Sequence, residues 1–180
     1  YDKGDKDGNR WYLRTPYYLN WSKDNVSFMQ QDPKARYQGY QFYFRSGFCW
    51  ILTLNEQSEY LKSRVKEAGI FDVNAMSLFS MSSLTSEKYL VCLLNSYLIY
   101  QIKINFIIGS SAFQINDARQ IPVIVPTVEQ LASFENLFDR AHALKVSQFD
   151  GKITSISANK QLLEIQSELD KKVLKLYDLK

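Results

Sequence analysis

"ARQIPVIVPTVEQLASF", residues 118–134, sets two prolines four residues apart in an apolar run and then passes straight into a helical pattern. Pro122 and Pro126 have no backbone N–H to give, so the run reads as an edge strand or an extended connector and not as a central strand. Thr127 and Gln130 then stand at capping-box spacing, with Glu129 suited to the positive end of a helix. A helix is expected from there, its stripe made by Leu131, Phe134, Phe138, Ala141 and Leu144, widened by Leu137 and ended at Asp150-Gly151. Residues 159–177 repeat the pattern through Leu162, Leu169, Val173 and Leu176, which predicts a closing helical hairpin. The division is therefore 1–126 for the first body and 127–180 for the hairpin.

Upstream, Trp11 to Leu54 is dense in Tyr, Phe and Trp, with alternating runs such as "YQFYFRSGFCWILTL" between Pro16, Pro33, Gly39 and Gly47, as twisted strands and turns require. The polar, glycine-containing opening "YDKGDKDGNRW" reads as a flexible lead-in. As a calcium loop with Gly8 sixth, it would put Lys3 and Arg14 where carboxylates are needed, so that reading fails. Residues 56–68 read as a short exposed helix or ordered loop ending at Gly69, and "GIFDVNAMSLFS" as a strand and loop. Ser86 is the expected N-cap of a buried helix over 87–106, with apolar residues at 90, 93, 94, 98 and 102. After Gly109 a loop and one more strand are expected. The whole predicts an α+β fold: a twisted β-rich core around a buried helix, followed by a C-terminal pair of long helices.

At 180 residues, 46% apolar and 14% aromatic, the chain can fill a real core. Its formal charge of +3 lies wholly in the first 50 residues, where eight Lys/Arg face five Asp/Glu. Cys49 and Cys92, each among apolar neighbours, read as buried thiols of a reducing compartment, and a cytoplasmic location is expected. Polar interruptions at Asn95, Ser96, Gln101, Lys103 and Asn105 argue against a membrane span over 89–108. The start at Tyr1 without a methionine or signal pattern suggests a piece of a longer protein.

His142, the sole histidine, has no ligand-spaced neighbours, and phosphate loops, nucleophile elbows and Cys-x-x-Cys pairs are absent from the sequence. What remains is a set of cations among aromatics in "KARYQGYQFYFRSGFCW" and "LKSRVKEAG". Arg36, Arg45 and Arg64 are the candidate base readers, Lys34, Lys62 and Lys66 the candidate phosphate contacts, and Trp50 a core residue or a wedge, with Tyr37 and Tyr40 beside them.

These residues stand in blocks whose order resembles the C-terminal target-recognition region of type IIG restriction-modification enzymes and related adenine-specific DNA methyltransferases, including those of BREX phage-defence systems. "RWYLRTPYYLNWSKDN" resembles the family's entry segment, with a turn at Ser22-Lys23-Asp24-Asn25. "FYFRSGFCWILTL" resembles its Phe-Arg-x-Gly-x-x-Trp strand pair, "GIFDVNAMSLFS" its Gly-x-x-Phe-Asp block and "YLVCLLNSYLIY" its Leu-Leu-Asn-Ser helix. "ARQIPVIVPTVEQ" resembles its exit, and "EIQSELDKKVLKLYDL" its closing segment, with Leu169 and Asp178 departing from the usual residues.

The resemblance implies recognition of double-stranded DNA for an upstream methyltransferase domain of the same protein. That domain would use S-adenosylmethionine and flip the target adenine. The Asn-Pro-Pro-Tyr motif, the cofactor-binding segment and a nuclease carboxylate-lysine cluster are absent from this sequence, so this chain is expected to hold no cofactor and to be non-catalytic. A protein-interaction module, docking a nuclease or partner subunit through the C-terminal helices, is the alternative.

Overall fold

The computed structural model describes residues 1–180 apart from Lys6, Arg36, Gln38, Asn55, Glu56, Val73 and Lys180. Its centre is "GFCWI", a run of large side chains that form β1 (Gly47–Ile51) and are buried over most of its length. β2 (Ser63–Lys66) and β3 (Ala75–Leu78) flank it antiparallel, giving the order β2-β1-β3. Gly47 faces Lys66 and Trp50 faces Ser63 on one side, while Phe48 faces Leu78 and Ile51 faces Ala75 on the other. Gly47 is obligatory by close approach, because a Cβ there would lie 2.7 Å from the Leu78 carbonyl oxygen.

Three helices stack outward from this sheet. α2 (Glu87–Leu94) packs on β1 and β2, α5 (Val128–Phe149) packs on α2, and α6 (Ser155–Leu176) packs on α5 and on α3 (Tyr97–Ile102). One contiguous core, from Trp11 and Phe48 through Leu93 and Phe134 to Leu169 and Val173, crosses the junction at residue 126. The α+β architecture with two long C-terminal helices is as the residue pattern predicts.

Several local expectations are corrected: among the described residues no strand forms between Tyr12 and Ser46, where twisted strands are expected, and none forms after Gly109. The helix expected over 87–106 is two helices bent by 63°, because Asn95 leaves the helix to bond both backbone groups of Ser63, at 2.8 Å each, and Ser96 caps a new helix from Tyr97 by accepting the Ile99 N–H. Residues 63–66 are a strand and not part of a helix: Arg64 and Lys66 are drawn inward by buried polar partners, which an exposed amphipathic pattern does not foresee. The segment after Trp21 is no simple turn but a nine-residue helix, α1 (Lys23–Gln31), capped by Ser22.

The lead-in is also not free. Asp2 bonds backbone-to-backbone with Ile70 and Asp72 at 2.8 and 2.9 Å, and Trp11 with Ser63 at 3.0 Å, so the lead-in is tied at Asp2 to the segment between β2 and β3 and at Trp11 to β2.

The proline run 118–126 follows a four-residue helix, α4 (Ile115–Ala118), and pairs with no strand among the described residues. It is the extended connector. Its carbonyls are met by hydroxyls: Tyr89 donates to Ile124 at 2.6 Å and Tyr177 donates to Pro122. The capping box beyond it forms in both directions, Gln130 N–H to Thr127 Oγ1 and Thr127 N–H to Gln130 Oε1. No single helix among the described residues is long and apolar enough to cross a membrane.

Candidate nucleic-acid interface

Six of the seven candidate residues are described, and they part into two groups. Trp50, Arg64 and Lys66 are inside, at 2%, 4% and 2% exposure. The indole of Trp50 donates to the Phe113 carbonyl at 2.8 Å, which ties β1 to the loop before α4 and makes the residue core and not wedge. Arg64 gives both terminal nitrogens to Asp2, leaving no free edge for a base. Lys66 spends its ammonium on the carbonyls of Arg45, Glu67 and Gly69, at 3.2 to 3.4 Å, with the rings of Phe71 and Phe79 alongside. Burial pulls that ammonium below the ordinary lysine range, with Cys49 and Asp2 pulling the other way. In this fold Arg64 and Lys66 are withdrawn from the list of contact residues.

Lys34 and Arg45 are exposed, and Lys62 is half-buried. Arg36 lies outside the described residues. Lys34 and Arg45 flank one aromatic cluster. Trp21 stacks on Tyr37 (6.2 Å between centroids, 16° between planes) and Tyr37 stacks on Tyr40 (5.5 Å, 17°). Tyr43 and Phe44 meet Trp21 edge-on at 5.7 and 5.6 Å. Phe44 holds a left-handed φ of 61°, and its N–H donates to Gly69. A bulky residue adopts that conformation only where its surroundings impose it. The next residue is Arg45, whose carbonyl is one of the three on Lys66 and whose guanidinium sits 5.8 Å from the Phe42 ring. Lys66 thus serves the exposed arginine from inside.

Lys62 stands apart. It precedes β2, at the end of the β1–β2 ladder opposite to Arg45, with φ of 54° and its stem laid across Gly8. Lys34 lies beside Trp21 and Tyr37, Arg45 follows Phe44 of the same cluster, and Lys62 is off it.

Between α1 and β3 the same aromatics line a groove of about 610 Å³. Trp21, Tyr37, Tyr43 and Phe71 form its aromatic surface, Leu19 and Met29 its apolar side, and Lys34 and Asp72 its charged groups. α1 buries none of its residues and leaves Phe28 exposed, while Tyr18 is 92% exposed. Trp21, Met29 and Asp72 were not candidates by sequence. The signal for the first two was local: Ser22 at N-cap spacing from Asn25, with Leu19, Val26 and Met29 on one side of the turn that follows.

Elsewhere chemistry is sparse. His142 sits between the rings of Tyr12 and Phe138 at 5.1 and 5.5 Å. Both thiols are buried and unpaired with each other, and burial pushes Cys49 up to about 12. Among the described residues no three His, Cys, Asp or Glu stand together as a metal site. The chain matches no family model, and no curated protein matches it.

Proposed function

We propose that the chain reads double-stranded DNA as the specificity portion of a larger restriction-modification or adenine-N6 methyltransferase protein of the cytoplasm, phage-defence methyltransferases included. One observation carries this reading: the exposed cations Lys34 and Arg45 flank a stacked aromatic face on the segment that holds the chain's whole excess of positive charge. Arg45 follows a strained residue and is anchored by its carbonyl, so its fork is presented from a rigid base, as bidentate reading of guanine demands. Lys34 and Lys62 supply charge for phosphates. The catalytic domain and its S-adenosylmethionine would lie upstream, and this chain would aim it.

Selection from a randomised duplex library by the full-length protein, followed by mobility shifts at low and moderate salt, tests the reading. Enrichment of one sequence is the expected result; a full-length protein that binds all duplexes alike, or none, overturns it.

The second reading, docking of a nuclease or partner subunit, draws on α6, where Ile156 and Leu163 stand one heptad apart and both exposed. Loss of a partner on Ile156→Lys with DNA selection unchanged would favour it.

A further inference from the structure

The groove between α1 and β3 has features that a face reading an intact duplex does not use. Bases inside a duplex are stacked on both sides and show only their edges, so aromatic faces cannot reach them. Here Tyr37 is stacked on both Trp21 and Tyr40, which makes it a backing for Trp21, and Tyr43 stands at 90° to Phe71, so the groove wall is built of rings held at fixed angles. Its volume of about 610 Å³ falls in the range of small-molecule sites, which suits one nucleotide.

The two charged side chains of the lining are complementary to a nucleotide. Lys34 is exposed and matches a phosphate. Asp72 is fixed in place: Tyr1 donates its hydroxyl to Oδ2 at 2.8 Å, and Asn74 donates its backbone and side-chain N–H groups to Oδ1 at 3.0 and 3.2 Å. A carboxylate offers about four acceptor positions, so among the described residues Oδ2 has room for one more donor, such as the exocyclic amine of adenine, cytosine or guanine.

We propose that this groove seats one unstacked base of a DNA strand, with Trp21 as the stacking surface backed by Tyr37, Lys34 on the adjoining phosphate and Asp72 on the base amine. The proposal rests on the nucleic-acid reading of the surrounding face and extends it from base edges to a base face. Base–aromatic stacking tolerates every base, so the seat contributes affinity and strand distortion, Asp72 disfavours only thymine, which has no exocyclic amine, and finer sequence choice stays with Arg45.

The test uses the 180-residue chain and a short oligonucleotide carrying one 2-aminopurine, as a single strand and as a duplex. Trp11 and Trp50 are buried, so quenching by acrylamide reports on Trp21. The expected result is loss of 2-aminopurine fluorescence and protection of Trp21 on binding, with single-strand affinity lowered about tenfold by Trp21→Ala. Lys34→Glu and the exposed Tyr40→Ala, which leave the core untouched, should also weaken it, so the outcome does not hang on one variant's folding.

Duplex binding with neither signal overturns the seat and leaves duplex reading standing; absence of any binding by the chain overturns the seat, and duplex reading is then decided by the full-length selection. Protection by adenosine monophosphate without strand binding makes this a free-nucleotide site and overturns the assignment to a strand. Protection by a proline-rich peptide and not by the oligonucleotide overturns it in favour of a protein partner.

Discussion

Arg64 and Asp2 form a two-bond ion pair, at 2.7 and 2.8 Å, with both side chains nearly closed to water. The pair joins the first residues of the chain to the inward side of β2. Removing one partner strands the other's charge: Asp2→Ala should cost about 3–5 kcal/mol in urea denaturation. The double change Asp2→Leu with Arg64→Met should recover most of that, since an apolar pair of similar volume avoids the desolvation cost. Equal loss in the single and the double variant would show that the strap matters through packing and not through charge.

The same pair sets an acid limit. Burial alone would push the Asp2 carboxyl up, but the bonds and charge of Arg64 outweigh it and hold the group below the ordinary aspartate range. A depressed carboxyl stabilises the fold fully above its unfolded value of ~3.9, and the contribution is lost as pH falls through the folded value. Melting temperature followed downward from about pH 5 should drop more steeply in the wild type than in the Asp2→Leu/Arg64→Met double variant.

Asn95→Ala removes the acceptor for Ser63 N–H and a donor for Ser63 C=O, both buried. The Ser63 carbonyl keeps the Trp11 N–H, so one stranded N–H predicts roughly 1–3 kcal/mol of lost stability and earlier hydrogen exchange in β2 than in α5. Uniform exchange in the variant would refute the assignment of Asn95 to that strand.

These two features mark how far the sequence could be read. Thr127, Gln130 and Ser86 announce their helices because capping acts over three residues and is written locally. The stripe from Phe134 to Leu144 is legible because its period is that of a helix. Asn95, Arg64 and Lys66 are not legible in that way. Each is polar, each is buried, and each has a partner that proximity in the sequence does not reveal: Ser63 for Asn95, Asp2 for Arg64, and for Lys66 the carbonyl of Arg45, beside those of its neighbours Glu67 and Gly69. A cation among aromatics looks the same in the sequence whether it faces solvent, as Arg45 does, or a ring of carbonyls, as Lys66 does.

His142 lies half-buried against two rings, with Asp139, Glu67 and Lys88 the charged groups that act on it. Burial pulls its pKa below the ordinary histidine value, and the carboxylates offset this only in part. A depressed histidine stabilises fully above the unfolded value of ~6.5, and that contribution is lost as pH falls toward the folded value. His142→Phe should therefore shrink the change in melting temperature between about pH 7.5 and pH 5.5. An unchanged difference would place the acid sensitivity elsewhere.

Arg45→Ala and Lys62→Ala should differ in kind. The first is expected to reduce discrimination between the selected duplex and random duplex by about 1–3 kcal/mol. The second should weaken both alike and lower the salt slope by about one. Identical effects in titrations over a range of salt would remove Arg45 from base reading.

The connector between the two prolines is clipped from both sides, by Tyr89 in the middle of the chain and by Tyr177 just past α6. During synthesis the inner clip can close as soon as Ile124 has emerged, whereas the outer one must wait for the whole hairpin to be made. A ribosome paused in α6 would therefore hold a sheet and an α2 already packed beside an exit segment fastened at one point only. The direction in which the helical pair leaves the body is thus among the last things this chain decides about itself.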